Sequence, residues 1–307
     1  MDPNFSKAQL NFARKKFYGK FYYTGDNFNL INVSINKILI YLLNLKIFLI
    51  NAKKKIIRAQ YIFLKKKQNE TFKPVFKINV NDTLFKKHSD ELKNKNFTYI
   101  ENFLDKDYYK YILNNWPNIN FFRHSTKITT FYSMGFLYSK IENKLLENNK
   151  NFFLNEELRK FYEEILSNDF KNFINRLISF ENVPYSVRSI LSTMAKKNSY
   201  LIPHIDGIIY KNNGKNTYNF IYFIDGYDEN PSLSGATGIY RDNDFKEPLL
   251  IPHTLKNSLL IYNSSAEFFH GFKLMSVPKD IYRKTVNFQF FPESLVEKDF
   301  KKPSSRN

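Results

Sequence analysis

The spacing of apolar residues changes near the middle of the chain. Up to about residue 180 they recur every three or four positions. From Ser186 onward they come in short runs broken by Gly, Asn, Asp and Pro. The first rhythm belongs to helices that bury one face, the second to strands joined by turns. Residues 97–100 read as an early strand. Asp105 has the side chain of a helix N-cap, and the helix it opens is expected to run to about Trp116, where Pro117 stops it. Residues 155–180 predict two amphipathic helices joined near 167–169. Strands are expected at 189–194, 218–224, 238–240, 258–262 and 285–291, whereas 71–96 read as a polar connection. Helices first and strands afterwards predict an α+β fold, a small β-barrel or sandwich braced by helices.

The N-terminal quarter stands apart. Residues 29–70 contain neither Pro nor Gly and predict one long helix or a helical hairpin. Its centre, ILIYLLNLKIFLI at 38–50, is apolar nearly all round, interrupted by Asn44 and Lys46. A helix of that length rises only about 20 Å, short of the roughly 30 Å hydrocarbon core of a bilayer. A secretory leader is not expected, because Ala52 leads straight into Lys53, Lys54 and Lys55 with no small-residue cleavage site.

Charge sharpens this division. The chain carries 47 Lys and Arg against 29 Asp and Glu, a net +18. Residues 1–74 hold 15 of the basic residues and 3 of the acidic ones, a net +12, which leaves 32 against 26, or +6, for the rest. The basicity is therefore an N-terminal property. Two expectations stay open for this segment: packing on the main domain or a second copy, or a peripheral membrane contact through residues 29–69, aided by the basic clusters at 14–16, 53–55 and 65–67. No stacking platform is expected here, so nucleic acid is a poorer match.

Composition sets further bounds. With 43% hydrophobic and 18% aromatic residues the chain can build a sizeable core, which excludes wholesale disorder. There is no Cys, hence no disulfide, thiolate metal site or cysteine nucleophile, in keeping with a reducing, cytoplasmic setting. No phosphate loop or dinucleotide fingerprint appears. Three parts are expected: a basic helical segment over 1–74, the main domain over 75–296 and a polar tail over 297–307.

Candidate chemistry gathers around two of the five histidines. His204 precedes Asp206 by two positions, and on a strand such a pair shares one face, so imidazole and carboxylate can converge on one ion. His270 follows later within Phe268-Phe269-His270-Gly271-Phe272, an apolar setting in which an imidazole needs a hydrogen-bond partner or a metal. Two His and one carboxylate form the facial set typical of non-haem iron(II) oxygenases. Beyond His270 stand Arg283 and, again two positions on, Thr285. A guanidinium fork beside a hydroxyl suits one carboxylate of a small dicarboxylic acid. His253 reads as a surface residue, and His88 and His124 have no acidic neighbour at ligand spacing. Asp225, Asp228 and Glu229 read as a solvated hairpin tip.

These residues, in this order, resemble the Fe(II)- and 2-oxoglutarate-dependent dioxygenases, in particular the small prolyl-hydroxylase-like members. The family pattern is His-X-Asp, a distal His, then Arg-X-Ser/Thr. Residues 199–203 resemble the approach to the first ligand, and 234–238 the Gly-rich turn of the central hairpin, with one Gly missing. The resemblance covers about 97–291 and implies a double-stranded β-helix, or jelly roll. It implies that His204, Asp206 and His270 hold Fe(II) and that Arg283 and Thr285 bind the far carboxylate of 2-oxoglutarate. With O2, the co-substrate would be converted to succinate and CO2 as a substrate is hydroxylated. Tyr222 is a further candidate to place a hydroxyl near the co-substrate, against an ordinary barrel Tyr. The substrate is left open between a protein side chain and a small-molecule, glycan or lipid precursor. Nucleic-acid demethylases of the family carry a second Arg where this chain has Gln289. Two other classes stay in view: a non-catalytic jelly-roll binding module, and a protein acting through its N-terminal helix.

Overall fold

The computed structural model describes residues 74–124, 131–139, 144–147, 156–205 and 216–296, and six helical positions further upstream. Within them the order of elements is α+β, as the change of rhythm predicts. Helix α1 (Asp82–Lys95) falls where a polar connection is expected. Only His88 and Leu92 of it are buried, so its apolar stripe is too thin to register as a helical period. Asn81 caps its first turn by accepting from the Leu84 N–H at 2.9 Å, and Asn96 ends it in the left-handed region at φ 66°.

Strand β1 (Phe97–Ile100) follows as expected, and then α2 (Lys106–Asn114), whose N-cap is Asp105. Helices α3 (Glu156–Leu166) and α4 (Asn168–Leu177) meet at Ser167, whose hydroxyl accepts from the Phe170 N–H at 3.2 Å. The remaining strands are β2 (Arg123–His124), β3 (Phe131–Ser139), β4 (Lys144–Glu147), β5 (Tyr185–Ala195), β6 (Leu201–His204), β7 (Tyr218–Asp225), β8 (Gly238–Tyr240), β9 (Pro248–Leu250), β10 (Ser258–Asn263), β11 (Phe269–Phe272) and β12 (Arg283–Pro292). All five strands of the C-terminal half expected from sequence are present, four of them longer than predicted.

These strands make two antiparallel sheets. The larger runs β1-β10-β7-β12-β5-β3-β2, with β4 on β3; the smaller runs β6-β11-β8-β9. Period two divides the large sheet into two faces. Phe220, Tyr222, Val286 and Phe288 point outward and pack with Tyr108, Phe161 and Phe170 of the helices. Phe220 stacks on Phe288 with ring centres 5.0 Å apart. Ile221, Phe223, Leu260 and Tyr262 point inward and meet Ile239 and Phe268. Strand β7 is therefore buried on both sides, which is why YNFIYFID carries no alternation of polar and apolar residues.

The junction of α1 and β1 contains a buried imidazole. His88 Nδ1 lies 2.8 Å from Thr98 Oγ1, and the Thr98 hydroxyl donates to Glu91 at 2.6 Å. Glu91 stands one helical turn from His88, an acidic neighbour missed by the sequence reading. Burial, more than any charge nearby, holds the His88 pKa below its ordinary 6.5. The folded protein therefore binds fewer protons here than the unfolded chain just below that pH. Its stabilising contribution is complete above about pH 6.5 and declines as pH falls through the folded pKa. Replacing His88 by Gln is expected to flatten the loss of urea stability between pH 7 and 5; an unchanged slope would rule His88 out as its source.

Candidate active site

The small sheet brings the two singled-out histidines together. His204, at the end of β6, lies directly across the ladder from His270 in β11. Their rings are 4.1 Å apart between centres, tilted by 50°. Directly opposed residues in an antiparallel pair share a face, so both imidazoles serve one spot. The strands can approach here because residue 271 is Gly: a Cβ there would sit 2.6 Å from the Leu201 carbonyl oxygen. His270 is buried, and its ring centre lies 4.8 Å from that of Tyr262 on the large sheet. Asp206, the carboxylate expected to complete the set, lies outside the described residues.

Arg283 and Thr285 open β12 and share the inward face of the large sheet, opposite Ala195 and Thr193 of β5. Arg283 is only 4% exposed. Its Nη2 donates to Thr237 Oγ1 at 2.8 Å, while Nε has no hydrogen-bond partner. Its guanidinium carbon lies 4.7 Å from the centre of Phe272 and 5.3 Å from that of Phe223, a cation between two phenyl faces. Among the described residues no carboxylate pairs with it. Burial alone brings its pKa down to about 9, leaving it charged at neutral pH. Phe272 stands two residues after His270, so β11 carries both an imidazole and a wall of the Arg283 cage. Thr285, fully buried, is fixed by Thr193, with 2.6 Å between hydroxyl oxygens.

The turn before β8 makes room for this cation. Gly235 has φ +90°, and a Cβ there would lie 2.9 Å from both Arg283 Cδ and Met275 Sδ. Gly235→Ala thus combines backbone strain with a clash against the arginine stem. A cost of about 2–3 kcal/mol in unfolding free energy is expected, checked by urea denaturation. A cost under about 0.5 kcal/mol would show that the turn relaxes freely.

Tyr222 stands as the ordinary barrel residue, the second of its two readings. It faces the helices rather than the histidines, fully buried against Phe103 and Phe161, and donates to Asn257 Oδ1 at 2.8 Å. The inward neighbour on that strand is Phe223. The surface reading of His253 agrees with its position, 63% exposed beside Glu101 and Tyr99. Of the acidic trio, Asp225 pairs with Lys284 at 2.7 Å and Asp228 accepts from the Leu255 N–H at 2.7 Å, so these two pin loops rather than merely face solvent. Thr193, Phe223 and Tyr262 join the site without a motif to announce them, and Thr237 joins it from within the Gly-rich 234–238 turn.

No protein-family model and no curated protein matches the chain. The chain is similar to solved 2OG-Fe(II) oxygenases. One is an oxidoreductase of the 2OG-Fe(II) oxygenase family from Burkholderia pseudomallei, with 9% identity, a TM-score of 0.47, and 69% of this chain and 92% of that one covered. A prolyl hydroxylase from Trichoplax adhaerens, in complex with a hypoxia inducible factor peptide, gives 14%, 0.47, 73% and 99%. HygX from Streptomyces hygroscopicus, bound to nickel, 2-oxoglutarate and hygromycin B, gives 8%, 0.44, 67% and 86%.

Proposed function

We propose that the domain over 75–296 is an Fe(II)- and 2-oxoglutarate-dependent dioxygenase built on a double-stranded β-helix. Its substrate is a protein side chain or a small-molecule, glycan or lipid precursor, oxidised in the cytoplasm. The observation that carries this reading is Arg283. A buried cation with no acidic partner among the described residues and an uncommitted Nε needs an anion, and the Thr285 hydroxyl stands on the same face two residues on. The paired imidazoles supply the second support, since cross-strand His204 and His270 suit a borderline metal such as iron(II).

The residues divide the work as follows. His204 and His270, with Asp206, would hold the iron, and the bound iron supplies the redox chemistry linking O2 and 2-oxoglutarate to substrate hydroxylation, with succinate and CO2 released. Arg283 and Thr285 bind the far carboxylate and fix its distance from the histidines. Either hydroxyl of the Thr193–Thr285 pair can donate; when Thr193 does, the Thr285 proton is free for that carboxylate. Thr237 and the two phenyl rings hold the guanidinium in one orientation and keep water from it. Gln289 is engaged by the Ser189 hydroxyl at 2.8 Å and offers no second cation of the nucleic-acid demethylase kind.

The test needs no substrate. Iron(II) and 2-oxoglutarate are added anaerobically to the purified protein, and the visible metal-to-ligand charge-transfer band is recorded. It should appear in wild type, vanish in His204→Ala and weaken in Arg283→Ala. A folded wild-type protein without the band would overturn the assignment.

A further inference from the structure

We infer that the helical layer holds a binding site for a small primary ammonium, separate from the iron site. Helices α2 and α3 border a cavity of about 280 Å³ lined by Pro74, Tyr108, Tyr111, Lys160, Glu163 and Glu164. All six are described residues, whereas the N-terminal segment expected to pack on the main domain or meet a membrane lies, but for six positions, outside them. Helical spacing makes the lining: 108 and 111 share one face of α2, and 160, 163 and 164 one face of α3. The floor is aromatic. Tyr108 meets Phe76 edge-on with ring centres 5.2 Å apart and Phe161 at 6.3 Å, within the core between the helices and the large sheet. The histidines lie on the other side of that sheet, where Tyr262 meets His270.

Charge and hydrogen bonding select the ligand. Tyr108 is only 4% exposed, yet among the described residues nothing hydrogen-bonds its hydroxyl. A buried phenol usually finds a partner for that group. Burial first, and the Glu164 charge next, push its pKa above the usual 10, so the carboxylate faces the same space. Glu164 is half-buried, and burial, more than its acidic neighbours Glu163 and Asp169, lifts its carboxyl above the ordinary range. Among the described residues neither Glu163 nor Glu164 forms an ion pair, and two carboxylates against Lys160 leave the lining net negative. An ammonium answers each need. Its N–H groups donate to the Glu164 carboxylate and the Tyr108 hydroxyl, and its charge offsets the acidic pair. The rings of Tyr108 and Tyr111, 6.2 Å apart between centres, take the adjoining methylenes. An anion would meet two like charges, and a neutral alcohol would leave Glu164 uncompensated.

Full-length protein is titrated at neutral pH with n-butylammonium, n-butanol and n-butyrate, each followed by saturation-transfer difference NMR. The amine is expected to bind with a dissociation constant of about 1 mM, roughly tenfold or more tighter than the other two. Glu164→Gln should weaken it about tenfold and Tyr108→Phe about fivefold, both keeping the wild-type thermal unfolding transition. His204→Ala should bind the amine as wild type does, which separates this cavity from the iron site. Should Tyr108→Phe melt lower, Glu164→Gln decides alone. Equal binding of amine and alcohol, tighter binding of butyrate, or no binding at all overturns the proposal. So does amine binding that Glu164→Gln leaves unchanged or that His204→Ala removes, since either places the amine elsewhere.

Discussion

Exchanging Arg283 for Met is expected to leave a protein that unfolds at higher temperature than wild type and no longer responds to 2-oxoglutarate. Among the described residues the native guanidinium is buried without a carboxylate, and its only hydrogen bond goes to Thr237. Cation–π contact with Phe223 and Phe272 recovers part of the desolvation cost, not all of it. A Met of similar length can fill the space between the two rings without a charge. Removing a buried charge of this kind stabilises by about 1–3 kcal/mol. Wild type should instead gain from the ligand. At a hundred times the dissociation constant, binding adds about 2.7 kcal/mol, a rise of roughly 5–10 °C in a domain of this size. Differential scanning fluorimetry with and without 2-oxoglutarate, manganese(II) present, measures both effects. An Arg283→Met protein that melts lower and still shifts with 2-oxoglutarate would remove Arg283 from the binding site.

Asn257→Ala should be among the most destabilising single changes in the domain, although it touches neither histidine. The Asn257 side chain accepts from the Leu104 N–H at 3.0 Å and from the Tyr222 hydroxyl at 2.8 Å, and donates to the Leu104 carbonyl at 2.8 Å. Its backbone carbonyl accepts from the Phe103 N–H, and its φ of 48° lies in the left-handed region. Alanine would strand three buried polar groups and keep the strained backbone. At about 1–3 kcal/mol for each stranded group, a total on the order of 4 kcal/mol is expected. Tyr222→Phe, which strands none, should cost only about 1 kcal/mol. Urea denaturation of the two variants checks the contrast. Equal losses would mean that the Leu104 bonds contribute nothing.

What the sequence made legible follows from physical visibility. Asp105 announced a helix start because a cap is a local device. Helix α1 did not, since most of it is solvated. His204, His270, Arg283 and Thr285 stood out because such residue types inside apolar strands are costly unless used. Tyr222 was a candidate for its hydroxyl; on a strand buried on both faces nothing in the pattern says which way a side chain points. Thr193 and Thr237 reach the site from 92 and 46 residues away in sequence, through a neighbouring strand and a turn. No spacing rule covers such partners. Asp206 was read from its spacing to His204 and from the family pattern.

Strand β12 carries inward-facing residues at 283 and 285 and the core residues Val286, Phe288 and Phe290 on the opposite face. Its ladders shift register once against β5, between Gln289 and Phe290, and once against β7, between Lys284 and Thr285. A single inserted residue between those points would put the two parts of the strand out of phase, turning either a cation toward the helices or a phenyl toward the histidines. Evolution can therefore vary this strand by substitution, while length changes must come in pairs or bring a further bulge. Divergence among relatives of this protein should concentrate in the loops at either end, leaving β12 nearly fixed in length.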